Sequence, residues 1–295
     1  MSSTDIPDQT GRTAIVTGGG SGIGRAAAAA LAARGARVVL AVRDLDRGRA
    51  VAREIGGKAE ARALDLASVA SVREFAAGIG EPVDLLVNNA GTMTAALQHT
   101  ADGFELQLGV NHLGHFALTN LLLDRITGRV VSVASSALRK AYIDFDDLHW
   151  ERRRYKPFGA YGQSKLANLL FVAELQRRLA SAGSQVIATA AHPGWAATGF
   201  TITTGNPIAD ITAAVSTRLF AQRPSAGARP TLLAATGDVP GASFAGPRVF
   251  GVRGSAAIGP WPAKADDAAV AARLWTVSEE LTGTRFEVAD GAAGQ

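Results

Sequence analysis

The segment that most constrains this chain is Thr17-Gly18-Gly19-Gly20-Ser21-Gly22-Ile23-Gly24, since few local structures accommodate five glycines in eight residues. Ahead of it, residues 12–17 form a short apolar run that reads as a buried strand. After it, Gly22-Ile23-Gly24 opens an alanine-rich stretch that predicts a helix to about Arg34. Glycine allows a tight strand-to-helix turn and lets the backbone approach a phosphate with no Cβ in the way, while the helix start offers unpaired N–H groups and a positive dipole end. A glycine-rich turn can also be a plain connection. Its place after a strand, before a helix and early in the chain points to a dinucleotide pyrophosphate, with Gly18, Ser21, Gly22, Ile23 and Gly24 as candidate contacts.

The same strand-and-helix alternation continues. Residues 37–42, 59–64, 83–87, 129–134, 185–190 and 241–247 read as further strands, and 45–55, 104–124, 225–235 and 266–281 as helices, the last burying Val270, Leu274, Trp275 and Val277. Residues 254–262, with Trp261, read as a loop. Alternation of this kind, in 295 residues of which 47% are hydrophobic, predicts one α/β domain over 1–295 rather than two. The strand ends carry the chemistry. An acid at the tip of the second strand would accept from the ribose hydroxyls of NAD, whereas arginine would pair with the 2′-phosphate of NADP. Arg43 stands there, with Arg47 second, so NADP(H) is expected ahead of NAD(H); Asp44 turned inward is the alternative. Asp65-Leu66 ends the third strand, where Asp65 suits an adenine amino group or a helix cap. Asn89-Ala90-Gly91 ends the fourth as a crevice wall.

Tyr161 and Lys165 lie four apart on a pattern that is helical, hence on one face. A nearby ammonium favours the phenolate, so Lys165 is expected to draw the Tyr161 pKa downward. His112 and His115 are neighbours on the helix over 104–124, and with no cysteine or carboxylate pair beside them they read as packed, hydrogen-bonded histidines rather than metal ligands. The chain has no cysteine, which excludes disulfides and thiol nucleophiles. Its net charge of +4 comes mainly from scattered arginines, unlike a clustered nucleic-acid surface, and the run Arg152-Arg153-Arg154 reads as a solvated loop. The polar start and the absence of an apolar run near the ~20 residues of a membrane span lead to the expectation of a cytoplasmic protein without a membrane partner.

Taken together, Thr17-Gly18 with Gly22-Ile23-Gly24, Asn88-Asn89-Ala90-Gly91, Asn111, Ser136, Tyr161 with Lys165, and Pro193-Gly194 follow the order seen in short-chain dehydrogenase/reductases. The chain resembles that family to about Phe286. It is most similar to the retinol-dehydrogenase-like branch, through Asp102-Gly103-Phe104-Glu105, Asn111-His112-Leu113-Gly114-His115-Phe116 and Ala160-Tyr161-Gly162-Gln163-Ser164-Lys165. The resemblance implies a Rossmann fold, a doubly wound parallel sheet of about seven strands with helices on both faces. Residues 12–190 would form the cofactor-binding core and 196–223 a substrate lid.

It further implies that Tyr161 is the general acid and base, that Ser136 rather than Ser135 holds the reacting oxygen, that Lys165 grips the nicotinamide ribose and that Asn111 orders a water beside it. Pro193, Gly194 and Thr198 would lie along the nicotinamide. The expected activity is NADP(H)-dependent interconversion of a carbonyl and an alcohol on a small hydrophobic molecule. A non-catalytic NADP(H) sensor and a reductase of carbon–carbon double bonds stay open, as does a homo-oligomer. Two departures stand out: Ser136 and Tyr161 are 25 residues apart, leaving a rim loop from Ile143 onward, and the polar start leads to the expectation that the apolar N-terminal anchor of membrane-bound branch members is absent.

Overall fold

The computed structural model describes residues 6–135, 138, 141–194 and 223–287. Among these residues, eight strands form one sheet in the order β3-β2-β1-β4-β5-β6-β7-β8. They are β1 (Thr13–Thr17), β2 (Arg37–Val42), β3 (Lys58–Ala63), β4 (Val83–Asn88), β5 (Ile126–Val133), β6 (Ile187–Ala191), β7 (Phe244–Val249) and β8 (Arg253–Gly259). All pairings are parallel except β7 with β8. The chain runs outward from β1 to β3, then crosses back to lay β4 on the other side of β1. That reversal opens a crevice at the carboxyl ends of β1 and β4, where ligands of open α/β sheets sit.

Strand alternation explains the double winding. Ala14 and Val16, Val38 and Leu40, and Leu85 and Val87 pack into one hydrophobic cluster, with α1 (Gly22–Ala32) and α2 (Leu45–Ile55). Their neighbours Ile15, Val39 and Leu86 point into the other. That second cluster joins α3 (Val69–Ala77), α5 (Gly114–Leu122), α6 (Pro157–Ser181) and α8 (Ala268–Thr282), while α7 (Pro224–Thr236) returns to the first face through Ala228 and Leu232. Successive side chains of a strand point to opposite faces, so a strand with both kinds buried requires helices on both sides.

The structure corrects four expectations. Residues 254–262 contain a strand, β8, because this small-residue segment finds its ladder on β7, pairing Phe244 with Gly259 and Ala245 with Ile258. The helix expected over 104–124 is broken into α4 (Leu106–Leu108), a π-turn (Gly109–Leu113) and α5. Contacts on both sides of the π-turn are very close: a Cβ on Gly109 would meet Thr100 at 2.4 Å, and one on Gly114 would meet the Leu66 carbonyl at 2.5 Å. Arg153 is no solvated residue. Its guanidinium donates to Asp144 Oδ2 at 2.7 Å, the Tyr142 hydroxyl at 2.8 Å and Gln163 Oε1 at 3.0 Å, and covers the Trp150 ring at 3.7 Å, so it organises the loop after Ala141. On α8 the fully buried stripe is Ala271, Leu274, Trp275 and Ser278, with Val270 and Val277 only flanking it.

Candidate active site

β1 delivers Thr17 to the crevice, and the glycine turn follows with positive φ at Gly18 (+66°) and Gly22 (+53°), a region favourable to glycine. Thr17 Oγ1 accepts the amides of Asn89 and Ala90, both at 2.9 Å, and Asn89 Nδ2 donates to the Thr17 carbonyl at 2.8 Å. The turn is thereby fastened to the end of β4. Gly24 completes the joint, since a Cβ there would meet Asn89 Nδ2 at 2.4 Å and the Gly18 carbonyl at 2.5 Å. Ser21 begins α1 without using its hydroxyl as a cap, and Ile23 is buried beneath it. The result is a helix N-terminus facing a cleft of about 660 Å³.

Gly18, Ser21, Gly22, Ile23, Gly24, Arg43, Asp65, Leu66, Asn89, Ala90, Gly91, Tyr161, Lys165, Pro193 and Gly194 all line this one cleft. At one end, Arg43 and Arg47 are exposed, and neither guanidinium makes a hydrogen bond or ion pair among the described residues. Asp44 does not turn inward; its carboxylate caps α2 by accepting the Arg47 amide at 3.0 Å. Asp65 accepts the Ala67 amide at 2.9 Å, while the cap of α3 is Ser68. Gly194, at φ +68°, lies so close to the β7–β8 hairpin that a Cβ would meet the Val252 carbonyl at 2.4 Å.

At the other end, α6 presents Tyr161 and Lys165. Lys165 is buried, and its Nζ donates to the Val133 carbonyl at 3.0 Å. Burial alone pushes its pKa down to about 8. Asn111 holds the loop after Gly91: its Oδ1 accepts the Thr92 amide at 2.7 Å, and its Nδ2 donates to the Thr92 carbonyl at 3.0 Å and to Ser164 Oγ at 2.9 Å. Gly91 sits between the two groups, its hypothetical Cβ 3.3 Å from both Asn111 Oδ1 and Lys165 Nζ.

Tyr161 departs from expectation. Desolvation pushes its pKa up, opposed by a hydrogen bond with the Ser135 side chain. Lys165 Nζ lies 5.8 Å from the Tyr161 ring centre and donates its hydrogen bond to a backbone carbonyl, so desolvation prevails and the phenol's pKa moves up rather than down. Ser136, Thr198 and the lid segment 196–222 lie outside the described residues. His112 Nε2 meets Ser278 Oγ at 2.9 Å and His115 Nε2 meets Thr17 Oγ1 at 2.8 Å, in keeping with hydrogen-bonded histidines.

Sequence reasoning missed Thr92, because only its backbone engages Asn111. It also missed Leu106 and Val110, which line the cleft from α4 and the π-turn. Their spacing of four would put them on one face of the expected helix, but nothing in the sequence says that this face meets the cleft.

A glycine cradle that side chains would fill, a helix start aimed into the cleft and the Tyr161–Lys165 pair at its far end fit a nicotinamide dinucleotide. The short chain dehydrogenase family model matches residues 12–207. Human retinol dehydrogenase 13 is 44% identical over 289 residues, covering 92% of this chain and 85% of that protein. A crystal structure of an uncharacterised protein from Mycobacterium paratuberculosis superposes with a TM-score of 0.86 at 48% identity, covering 98% of this chain and 99% of the other. The NADP active-site complex of Pseudomonas aeruginosa RhlG gives a TM-score of 0.61 at 28% identity, over 78% and 91% of the two chains. The chain therefore belongs to the short-chain dehydrogenase/reductase family, as a retinol-dehydrogenase-like oxidoreductase.

Proposed function

We propose that this protein interconverts a carbonyl and an alcohol on a small hydrophobic molecule with NADP(H). The observation that carries the reading is the convergence of Tyr161 and Lys165 on one cleft with the glycine turn, with Asn111 buried behind Gly91 beside Lys165. When bound, the nicotinamide cofactor exchanges a hydride with the substrate carbon. The chain's own residues manage the accompanying proton. Tyr161, its pKa raised by desolvation, suits donation to a carbonyl oxygen, the direction of reduction. Lys165 is an ammonium below its pKa of about 8 and suits a ribose hydroxyl. Ser135, which lines the cleft and hydrogen-bonds Tyr161, is the serine placed to hold the reacting oxygen, ahead of its neighbour Ser136, the one expected from the motif. Leu106 and Val110 favour an apolar substrate.

NADP(H) is supported by the two guanidinia at the cleft end, which have no partner among the described residues, and by the engagement of Asp44 in a helix cap, which keeps a competing carboxylate occupied. The deciding assay is NADPH oxidation with a panel of hydrophobic aldehydes and ketones. Wild type should turn over at least one. Tyr161→Phe should lose about 10²-fold or more in kcat, and Ser135→Ala a similar factor, with Ser136→Ala losing less than about tenfold. Undiminished turnover by Tyr161→Phe sinks the mechanism. Arg43→Ala should weaken NADPH by about tenfold or more and leave NADH nearly unchanged, as expected for loss of a charge-assisted pair; equal losses argue against a 2′-phosphate contact.

A further inference from the structure

We propose that His115 is a positioning residue of this site: its imidazole, protonated at Nδ1, latches the π-turn carrying Asn111 to the Asn89-Ala90 wall of the cleft. The inference rests on the cofactor reading above. The hydrogen-bond inventory fixes the tautomer. His115 Nδ1 lies 3.0 Å from the Asn111 carbonyl, which can only accept, so Nδ1 carries a proton and donates. The ring is buried at 2% exposure and neutral, its pKa pushed down to about 4 chiefly by burial, with the Lys165 ammonium adding to the shift. Nε2 therefore offers a lone pair, and at 2.8 Å it accepts the Thr17 hydroxyl proton. The competing acceptor for that proton, the Val87 carbonyl, is farther away at 3.3 Å. Thr17 Oγ1 thus donates its hydrogen bond to the imidazole and accepts the Asn89 and Ala90 amides.

One imidazole thus closes a chain of hydrogen bonds across three segments that sequence separates by up to 98 residues. At one end are the amides that shape Asn89-Ala90-Gly91. At the other is the residue whose side chain, together with Lys165, packs against Gly91. The latch acts through other residues and touches neither substrate nor cofactor. Its importance lies in register: a displacement of about 1 Å at a reacting centre can lower rate by about 10²-fold.

Three variants separate the two arms. His115→Asn puts an amide N–H where Nδ1 stands and keeps only the Asn111 bond. His115→Gln puts a carbonyl oxygen at the reach of Nε2 and keeps only the Thr17 bond. His115→Leu keeps neither. NADPH dissociation constants from fluorescence titration, kcat, Tm and amide hydrogen exchange at 89 and 90 in the cofactor-free protein are measured for each. His115→Asn should bind NADPH on the order of tenfold more weakly with kcat at saturation nearly kept, His115→Gln should lose kcat by about tenfold with binding kept, and His115→Leu should lose both.

Exchange at Asn89 and Ala90 should quicken in the Asn and Leu variants and not in Gln. Losses that follow Tm alone without this split, or wild-type behaviour in all three, overturn the latch. A wild type that binds no NADPH sinks the cofactor reading instead, and the exchange pattern still decides the latch.

Discussion

Lys165 shows how one residue trades stability for chemistry. Its folded pKa of about 8 lies below the ordinary lysine value of 10.5, so between those values the unfolded chain binds more protons. Stability from this group is therefore lowest below pH 8 and rises with pH through the window 8 to 10.5. The buried charge costs about 3 kcal/mol at neutral pH on that shift, against a hydrogen bond to Val133 worth about 1.5–3 kcal/mol. Asn168 Nδ2, 3.3 Å from the same carbonyl, remains as a partner when the ammonium is removed. Lys165→Met should thus raise unfolding free energy in urea at pH 7 by about 1 kcal/mol, flatten its rise above pH 8, and abolish turnover. A variant less stable than wild type at pH 7 would mean that the hydrogen bond outweighs the desolvation.

Elements hold these residues in place through one aromatic joint. Trp275 on α8 stacks on Phe171 of α6, centres 5.7 Å apart and planes at 11°, and meets Phe116 of α5 edge-on at 4.9 Å. Its indole N–H donates to Glu279 Oε1 at 2.9 Å, and the Arg178 guanidinium covers its face at 4.6 Å. α8 therefore braces α6, which carries Tyr161 and Lys165, and α5, which continues from the turn bearing Asn111. Trp275→Ala should cost about 3–5 kcal/mol in chemical denaturation. Phe250→Ser, at a hairpin tip where the ring is 96% exposed, should change stability by no more than about 0.5 kcal/mol. A smaller loss at Trp275 than at Phe250 would contradict this packing.

A second brace lies at the start of α4. Glu105 is buried, its pKa raised by desolvation, yet its oxygens accept the Gln107 and Leu108 amides at 3.0 and 2.7 Å and the Tyr155 hydroxyl at 2.9 Å. The carboxylate joins the rim loop to the segment that lines the cleft with Leu106 and Val110. Along the sequence Glu105 is only one letter of a family motif; its role comes from Tyr155, fifty residues away.

Over the whole molecule, the cleft joins both halves of the sheet, so a ligand bound there stabilises the folded state by mass action. At 100-fold excess over its dissociation constant NADPH should add about 2.7 kcal/mol, a Tm increase of roughly 5 °C or more for a domain of this size. NADH at the same concentration should add less, and an equal shift would remove the NADP preference.

The sequence by itself determined the strand positions β1, β2 and β4 to within a residue or two, the doubly wound layering, the glycine turn and the meeting of Tyr161 with Lys165, because periodicity and motif spacing are properties of local order along the chain. Only the tertiary structure decided the rest. β8 is a strand because β7 lies beside it, the helix before α5 opens into a π-turn where Thr100 and Leu66 crowd its glycines, and Arg153 leaves solvent for Trp150 and Gln163. The Tyr161 proton is the clearest instance. Spacing put an ammonium near the phenol and implied a lowered pKa, but the carbonyl of Val133 takes that ammonium and desolvation raises it, since protonation depends on surroundings assembled from distant parts of the chain.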